Sequence, residues 1–512
     1  MARHYVPRNG TSPEWTAKSS WTSHGDWDGP TLLWGDELTA PQQPPEVNGR
    51  VQVGARGWDL WVEPETLSGE RLLEVYFIDV GQGDGVLIIT PDRRHILIDG
   101  GYPRRRTPTG KNASDFVDWK FRKEYRTTRM ALDTIVVSHP DSDHYGGLWD
   151  LLDREQRGGY PNPLDIEDVT VERLYHSGLS RHPGKPTFGA SEPARDGLRD
   201  VFVDLLGSRS DVQARLAAGA GTSGLQGEWK EFWETAVGTK RKSGQPTGIK
   251  ALDSRVRFLE GFEASEDVSI KVLGPILTET TTGKKGLRKL PGGDSKNSNG
   301  HSVLLRIDYG ASRILMTGDL NKSAQDELMS KMAGELHELA CDVAKGCHHG
   351  SLDVSYPFLS AMRAGATVIS SGDTEGHGHP QAAVVGASAV SGHITFDPDT
   401  GDLLTPLVYS TEVSRSVRMG KVAGLDAPID GQHKRPLTSK EFSGTDVHYS
   451  EQPAGAIAPK KGTKPIKGRY VIPGIVYGLV NVRTDGETIL CATRDESKHE
   501  WDVATFAARF GD

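Results

Sequence analysis

The sequence predicts an α/β protein whose strands end in clusters of metal-ligand side chains. Three observations carry that expectation. Apolar, often β-branched runs of strand length recur, among them 73–80, 86–89, 95–98, 135–137, 303–308 and 312–316. Several close on Asp, His and Gly, as in Asp99-Gly100-Gly101, Ser138 to Gly147 and Thr317-Gly318-Asp319. Segments of helical spacing, such as 148–154 and 323–336, stand between them.

Chain length and composition narrow the class. At 512 residues the chain can bury a large core and is expected to hold more than one domain. A net charge of −9 argues against a globally basic nucleic-acid binder but leaves local patches open. The cysteines, Cys341, Cys347 and Cys491, are odd in number and form no C-x-x-C, which favours a reducing compartment. The first residues contain no apolar run, and 471–480 is broken by Pro473 and Gly474, far short of a membrane span. A cytoplasmic protein with no membrane partner is the expectation.

In chain order, residues 1–70 are rich in Trp, Gly, Pro and Thr and predict an extension of extended pieces. A meander of three strands follows, ending at Asp99. Between Tyr102 and Met130 stand nine basic residues, including Arg104, Arg105 and Arg106, against three acidic ones. Such a run is either a solvated face or a site that attracts a polyanion. Residues 155–265 read as an insertion, with a strand at 171–175, helices over 194–217 and 229–237, and a strand at 255–259. Another strand follows at 268–273. Residues 71–395 form the central unit and 396–512 a C-terminal region. That region has a linker at about 451–468, strands at 471–482 and 488–492, and a closing helix over 501–510.

The stretch Ser138 to Gly147 organises the rest. It reads S-H-P-D-S-D-H-Y-G-G and places His139, Asp141, Asp143 and His144 where a strand ends and a helix begins. Side chains two apart on an extended segment face the same way, so His139 and Asp141 can meet at one point. Two imidazoles and two carboxylates that converge need a cation, and that donor set suits zinc, manganese or iron. His348 and His349 cannot both point at one metal, because successive side chains diverge. Gly350 beside His349 favours His349 as the ligand and leaves His348 for substrate or outer-shell work.

These signatures together resemble the metallo-β-lactamase fold, and more narrowly the ComEC-type hydrolase domain of DNA-uptake proteins. They are FIDVGQGDGVLI at 77–88, ILIDGG at 96–101, SHPDSDHYGG at 138–147, VLGP at 272–275, the run from Asn299 to Leu320, HHGS at 348–351 and GHGHP at 376–380. The resemblance implies an αββα sandwich with a metal site at one edge and the termini outside it. It implies two divalent ions, zinc or manganese. His139 and Asp141 would hold the first, Asp143 and His144 the second, and Asp319 would bridge them, with His349 or His348 completing the second. The wider fold usually has His where this chain has Asp141. His301 stands where that fold places another histidine ligand, and where the ComEC-type branch often has Asn. It either completes the first metal or is a turn residue before a strand. Asp99 would orient a ligand from behind. His377 and His379 would bind a phosphate or protonate a leaving group, or be structural, and His176 is a candidate lining residue. The family's membrane channel does not carry over, because the chain shows no spans.

Two close cations share a water, lower its pKa and steady the attacking and leaving oxygens of an in-line displacement. The extra carboxylates suit a phosphodiester. A metal-dependent phosphodiesterase or nuclease, with Asp143, His348, His377 and His379 as catalytic candidates, is therefore the leading expectation. Arg104, Arg105 and Arg106 would hold the rest of a nucleic acid. Alternatives are a hydrolase of a small phosphodiester, such as a phosphorylcholine ester or cyclic nucleotide, and a non-catalytic metal-binding assembly partner.

Overall fold

Alternation along the strand Leu73–Ile78 sets up the architecture. Val75 and Phe77 enter one buried cluster while Tyr76 and Ile78 enter another on the opposite face. A strand buried on both faces belongs inside a layered structure. The structure, a computed structural model, describes residues 2–10, 12–22, 25–107, 109–153, 164–219, 224–372, 378–397, 400–412, 416–429, 433–451, 460–476, 478–495 and 500–511.

Two sheets face each other. Among the described residues the first has nine strands, in the order Gly248–Ala251, Asp168–His176, Arg129–Val137, His95–Ile98, Val86–Ile89, Leu73–Ile78, Leu479–Thr484, Thr488–Asp495 and Glu500–Ala507. The first four run parallel and the rest antiparallel. The second sheet runs Val268–Gly274, Leu304–Tyr309, Ser312–Met316, Val343–Lys345, Ala366–Ile369 and Leu407–Ser410. Between the sheets pack Val75, Phe77, Ile88 and Ile96 against Ile270, Leu305, Ile314 and Val368. Helices cover the outer faces. Ala113–Trp119, Ser142–Leu152 and Gly227–Ala236 bury Phe116, Leu148 and Trp233 on the first sheet, and Lys322–Lys331 and Tyr356–Met362 bury Leu328 and Phe358 on the second. This is an αββα sandwich.

The termini are not both outside it. Leu479–Thr484 pairs with Leu73–Ile78 and so extends the first sheet from within. Residues 2–62 form their own antiparallel sheet around Leu32, Leu38, Val53 and Leu60. Buried Arg483 ties the two together, pairing with Asp36 at 2.8 Å and donating to the Trp34 carbonyl at 2.6 Å. The helix expected over 501–510 is instead the strand Glu500–Ala507. Its alternating pattern turns Trp501 and Val503 to one side and Phe506 to the core. The strand expected at 255–259 is a turn, with Arg257 at φ 63°. Of the helix expected over 194–217, only Arg209–Ala217 forms, capped by Ser208, while Val201–Phe202 pairs with Lys285–Arg288. Part of the expected linker is a hairpin of Asp446–Glu451 with Lys460–Pro465. Cys341, Cys347 and Cys491 are buried and unpaired. Among the described residues no helix is long and apolar enough to cross a membrane.

Candidate metal centre

The site lies where both sheets present strand ends. Arg129–Val137 delivers Ser138 and His139, and the helix Ser142–Leu152 then starts with Asp143 in its first turn, where the helix dipole favours a carboxylate. The loop is held against its neighbours by backbone contact. A Cβ on Gly147 would stand 1.9 Å from the Gly100 carbonyl, and one on Gly83, itself at φ 125°, would stand 2.2 Å from that of Asp143. From the second sheet, Ser312–Met316 delivers Asp319, and Val343–Lys345 leads into His348 and His349, both in the left-handed region.

Asp143, His144, Asp319 and His349 offer ligand atoms all within 4.8 Å of one another. Asp319 Oδ2 is 3.3 Å from His144 Nε2 and 3.0 Å from His349 Nε2. Those two nitrogens and His139 Nε2 are buried and make no hydrogen bond. Each of the two ring partners is fixed from behind: Asp99 Oδ2 lies 2.9 Å from His144 Nδ1, and the Ser370 carbonyl lies 3.0 Å from His349 Nδ1. Two imidazoles with free Nε2 and two carboxylates converging on one point fit a divalent cation, and the outer partners set the tautomers.

Electrostatics agree. Against the opposing effect of burial, Asp319, Asp99 and Asp143 hold the His144 imidazole well above its usual range. Burial likewise opposes, but Asp319 and Asp84 raise His349 to about 9. His349 and His144, with Lys345, hold Asp319 well below the usual carboxylate range.

Asp141 stands apart. Its Oδ2 is 3.6 Å from His139 Nε2, while Oδ1 accepts from Ser298 Oγ at 2.7 Å and pairs with Arg181 at 3.0 Å. The expected third partner of this pair, His301, faces elsewhere: its Nε2 donates to the Arg288 carbonyl at 2.9 Å. His301 is therefore anchored to the Lys285–Arg288 strand, a correction to its role as a ligand. Asn299 sits between the two halves. With its amide turned to suit both neighbours, it donates to Asp141 Oδ2 at 2.8 Å and accepts from His348 Nε2 at 3.0 Å.

His348 thus points away from the four-ligand group, and burial lowers its imidazole to about 4. The His379 ring lies 6.1 Å from that of His348 and 6.5 Å from that of His349. His377 lies outside the described residues. His176 is buried edge-on against Trp233 and accepts from the Gly178 N–H, so it lines core rather than site. The three arginines expected to grip substrate are largely engaged within the fold. Arg104 pairs with Asp115 at 3.0 Å, Arg105 pairs with Glu228 and stacks on Trp149, and Arg106 pairs with Glu228 at 2.7 Å and donates to Ser142 Oγ. That corrects the picture of a free basic face.

Two residues of the site escaped the sequence reading. Asp84 pairs with the ammonium of buried Lys345 at 2.5 Å and stands 3.4 Å from His349 Nδ1. Lys345 also donates to the Gly318 carbonyl at 2.8 Å and approaches Asp319 at 3.4 Å. Lys345 could have been noticed as a lone charge in the apolar run Val343-Ala344, because a buried ammonium must be paired.

The Metallo-beta-lactamase superfamily profile matches residues 78–372, more than half of the chain, and the protein belongs to that superfamily, whose members are generally metal-dependent hydrolases. It is also similar to the Competence protein ComA of Neisseria gonorrhoeae, with 35% identity over 89 residues, 17% of this chain. The match covers 12% of that relative's length.

Proposed function

We propose that the protein is a phosphodiesterase, most simply a nuclease, working with divalent zinc or manganese. The observation that carries this is the group Asp143, His144, Asp319 and His349, flanked by Asp84 and Asp99. A donor set this rich in carboxylate suits hard cations and a phosphoryl oxygen. The partial similarity to a competence protein supports a nucleic-acid substrate. Bound cations would acidify a water and steady charge on the attacking and leaving oxygens. The chain's own residues do the rest. Asp319 faces both histidines, Asp99 and the Ser370 carbonyl fix the rings, and Asn299 holds His348 beside the centre, where it can exchange a proton with substrate. The deciding experiment is turnover of single-stranded DNA, duplex DNA, RNA and bis-p-nitrophenyl phosphate by metal-loaded protein. Tight metal binding with no turnover on any of them would leave a non-catalytic assembly role.

The histidine pair divides the labour. His349→Ala is expected to lose metal by elemental analysis. His348→Ala is expected to keep metal and lose turnover by about 10²–10⁴-fold, as for an acid/base group. Full metal and activity in both variants would remove the HHGS segment from the mechanism.

The weaker cation would be the one held by His139 and Asp141, because Arg181 already neutralises Asp141. One equivalent of metal is therefore expected to bind tightly and a second weakly. Arg181→Ala should tighten the second by up to about fivefold, the worth of one partly exposed charge pair at roughly 1 kcal/mol. Calorimetric titration reads both, and an unchanged second step would show that Arg181 does not compete.

A further inference from the structure

A cavity of about 570 Å³ opens on the outer face of the first sheet, between the N-terminal sheet, the 115–124 segment and the strands Leu479–Thr484 and Glu500–Ala507. None of its lining residues belongs to the metal group. Asn481 lines it. This side chain is fully buried, and neither its Oδ1 nor its Nδ2 has a hydrogen-bond partner. An amide is not left unpaired at both ends without cost, and a buried group of this kind points to a missing partner. A swapped amide does not explain it, because both ends are unpaired. The partner must present a donor and an acceptor side by side.

The walls indicate what carries that edge. Trp58, Trp119 and Trp501 line the cavity, with Trp58 52% and Trp119 37% exposed. Large exposed indoles offer stacking faces to a flat heteroaromatic ring. Two guanidinium nitrogens in the same lining, Arg56 Nη1 and Arg122 Nε, also lack hydrogen-bond partners, while the other ends of these groups face Asp36 and, at 3.8 Å, Asp165. A volume of this size is that of a small-molecule site. We propose that the cavity binds a nucleotide. The base lies among the tryptophans with its donor–acceptor edge on Asn481, in the way Asn reads adenine, and the phosphate faces the arginines. The proposal is independent of the hydrolase reading.

The test titrates the whole protein, in excess chelator, with AMP, GMP, CMP and UMP, and with inorganic phosphate as control, by calorimetry and tryptophan fluorescence. At least one nucleotide should bind saturably and quench fluorescence. Asn481→Ala should weaken it about tenfold or more, the worth of one bidentate base contact. Asp319→Asn should leave it unchanged, which separates this cavity from the metal centre. Should Asn481→Ala not fold, Trp119→Ala and Arg122→Gln decide, each expected to weaken binding. Binding of none of the four nucleotides, phosphate binding as tightly as any nucleotide, or folded variants binding like wild type would each overturn the assignment and leave the cavity to water.

Discussion

Asp319→Asn is expected to strip the protein of its tightest metal ion and of turnover while leaving the fold intact. Asp319 approaches both buried Nε2 atoms, at 3.3 and 3.0 Å, more closely than Asp143 does at 4.0 and 3.7 Å. The amide preserves its shape and the Ser302 Oγ bond to its own N–H, so the backbone has no reason to move. What is lost is the charge that the imidazoles and a cation share. Removing an outer-shell partner typically costs about 10–100-fold in metal affinity, and loss of Asp319 should exceed that. The pH dependence should move with it. Protons and metal compete for the same nitrogens. Asp319 and Asp84, acting against burial, hold His349 up to about 9, so at neutral pH metal uptake must expel its proton. Wild-type affinity should therefore rise with pH as His349 deprotonates towards about 9. In Asp319→Asn the main carboxylate holding that proton is gone, so the rise should come at lower pH. Calorimetry in two buffers of different ionisation heat measures the protons released. Unchanged metal content in the variant would refute the assignment of Asp319 as a ligand.

The second large effect is on stability. Lys345→Met is expected to destabilise the metal-free protein by roughly 3–5 kcal/mol, the usual consequence of leaving a buried charge without its partner. Lys345 is fully enclosed and neutralises Asp84 at 2.5 Å and, in part, Asp319 at 3.4 Å. With the ammonium gone, two buried carboxylates face each other across the site. A divalent cation supplies the missing positive charge, so the loss should be smaller in metal-loaded protein. Denaturant titrations of both forms read this as a shift in midpoint without a change in slope. Equal losses in both forms would mean that Lys345 braces the fold alone and has no link to the metal.

The legibility of this chain follows the range of each interaction. His139, Asp141, Asp143 and His144 were readable because they lie within six residues, and periodicity alone places them at a strand end. Val75 and Phe77 against Tyr76 and Ile78 were readable as a strand for the same local reason. Asp84 was not, because in Gly83-Asp84-Gly85 an acid looks like any turn residue until the second sheet brings Lys345 to it. His301 shows the opposite error. Its place in the order of motifs suggested a ligand, but order carries no direction, and the ring turns to the Arg288 carbonyl. The arginines at 104–106 read as free charge because their counterions, Asp115 and Glu228, include one more than a hundred residues away. Residues 501–510 misled because Val503, Phe506 and Phe510 fall at helical spacing, and only the partner strand Thr488–Asp495 fixes the extended form of Glu500–Ala507.

The strand Leu479–Thr484 carries a consequence for how the protein is born. It covers one edge of Leu73–Ile78, whose other edge pairs with Val86–Ile89. On the ribosome, Leu73–Ile78 emerges long before its covering strand, which lies hundreds of residues further along the chain. At roughly 5–20 residues per second, an apolar edge waits on the order of tens of seconds for its neighbour. During that time its backbone donors and acceptors are open to any other chain in extended form. Pairing so distant in sequence also closes slowly once both partners exist. Yield in a cell should therefore depend on translation speed and on chaperones that shield strand edges. A nascent chain halted before residue 479 would be a species for quality control to remove, however complete its metal ligands.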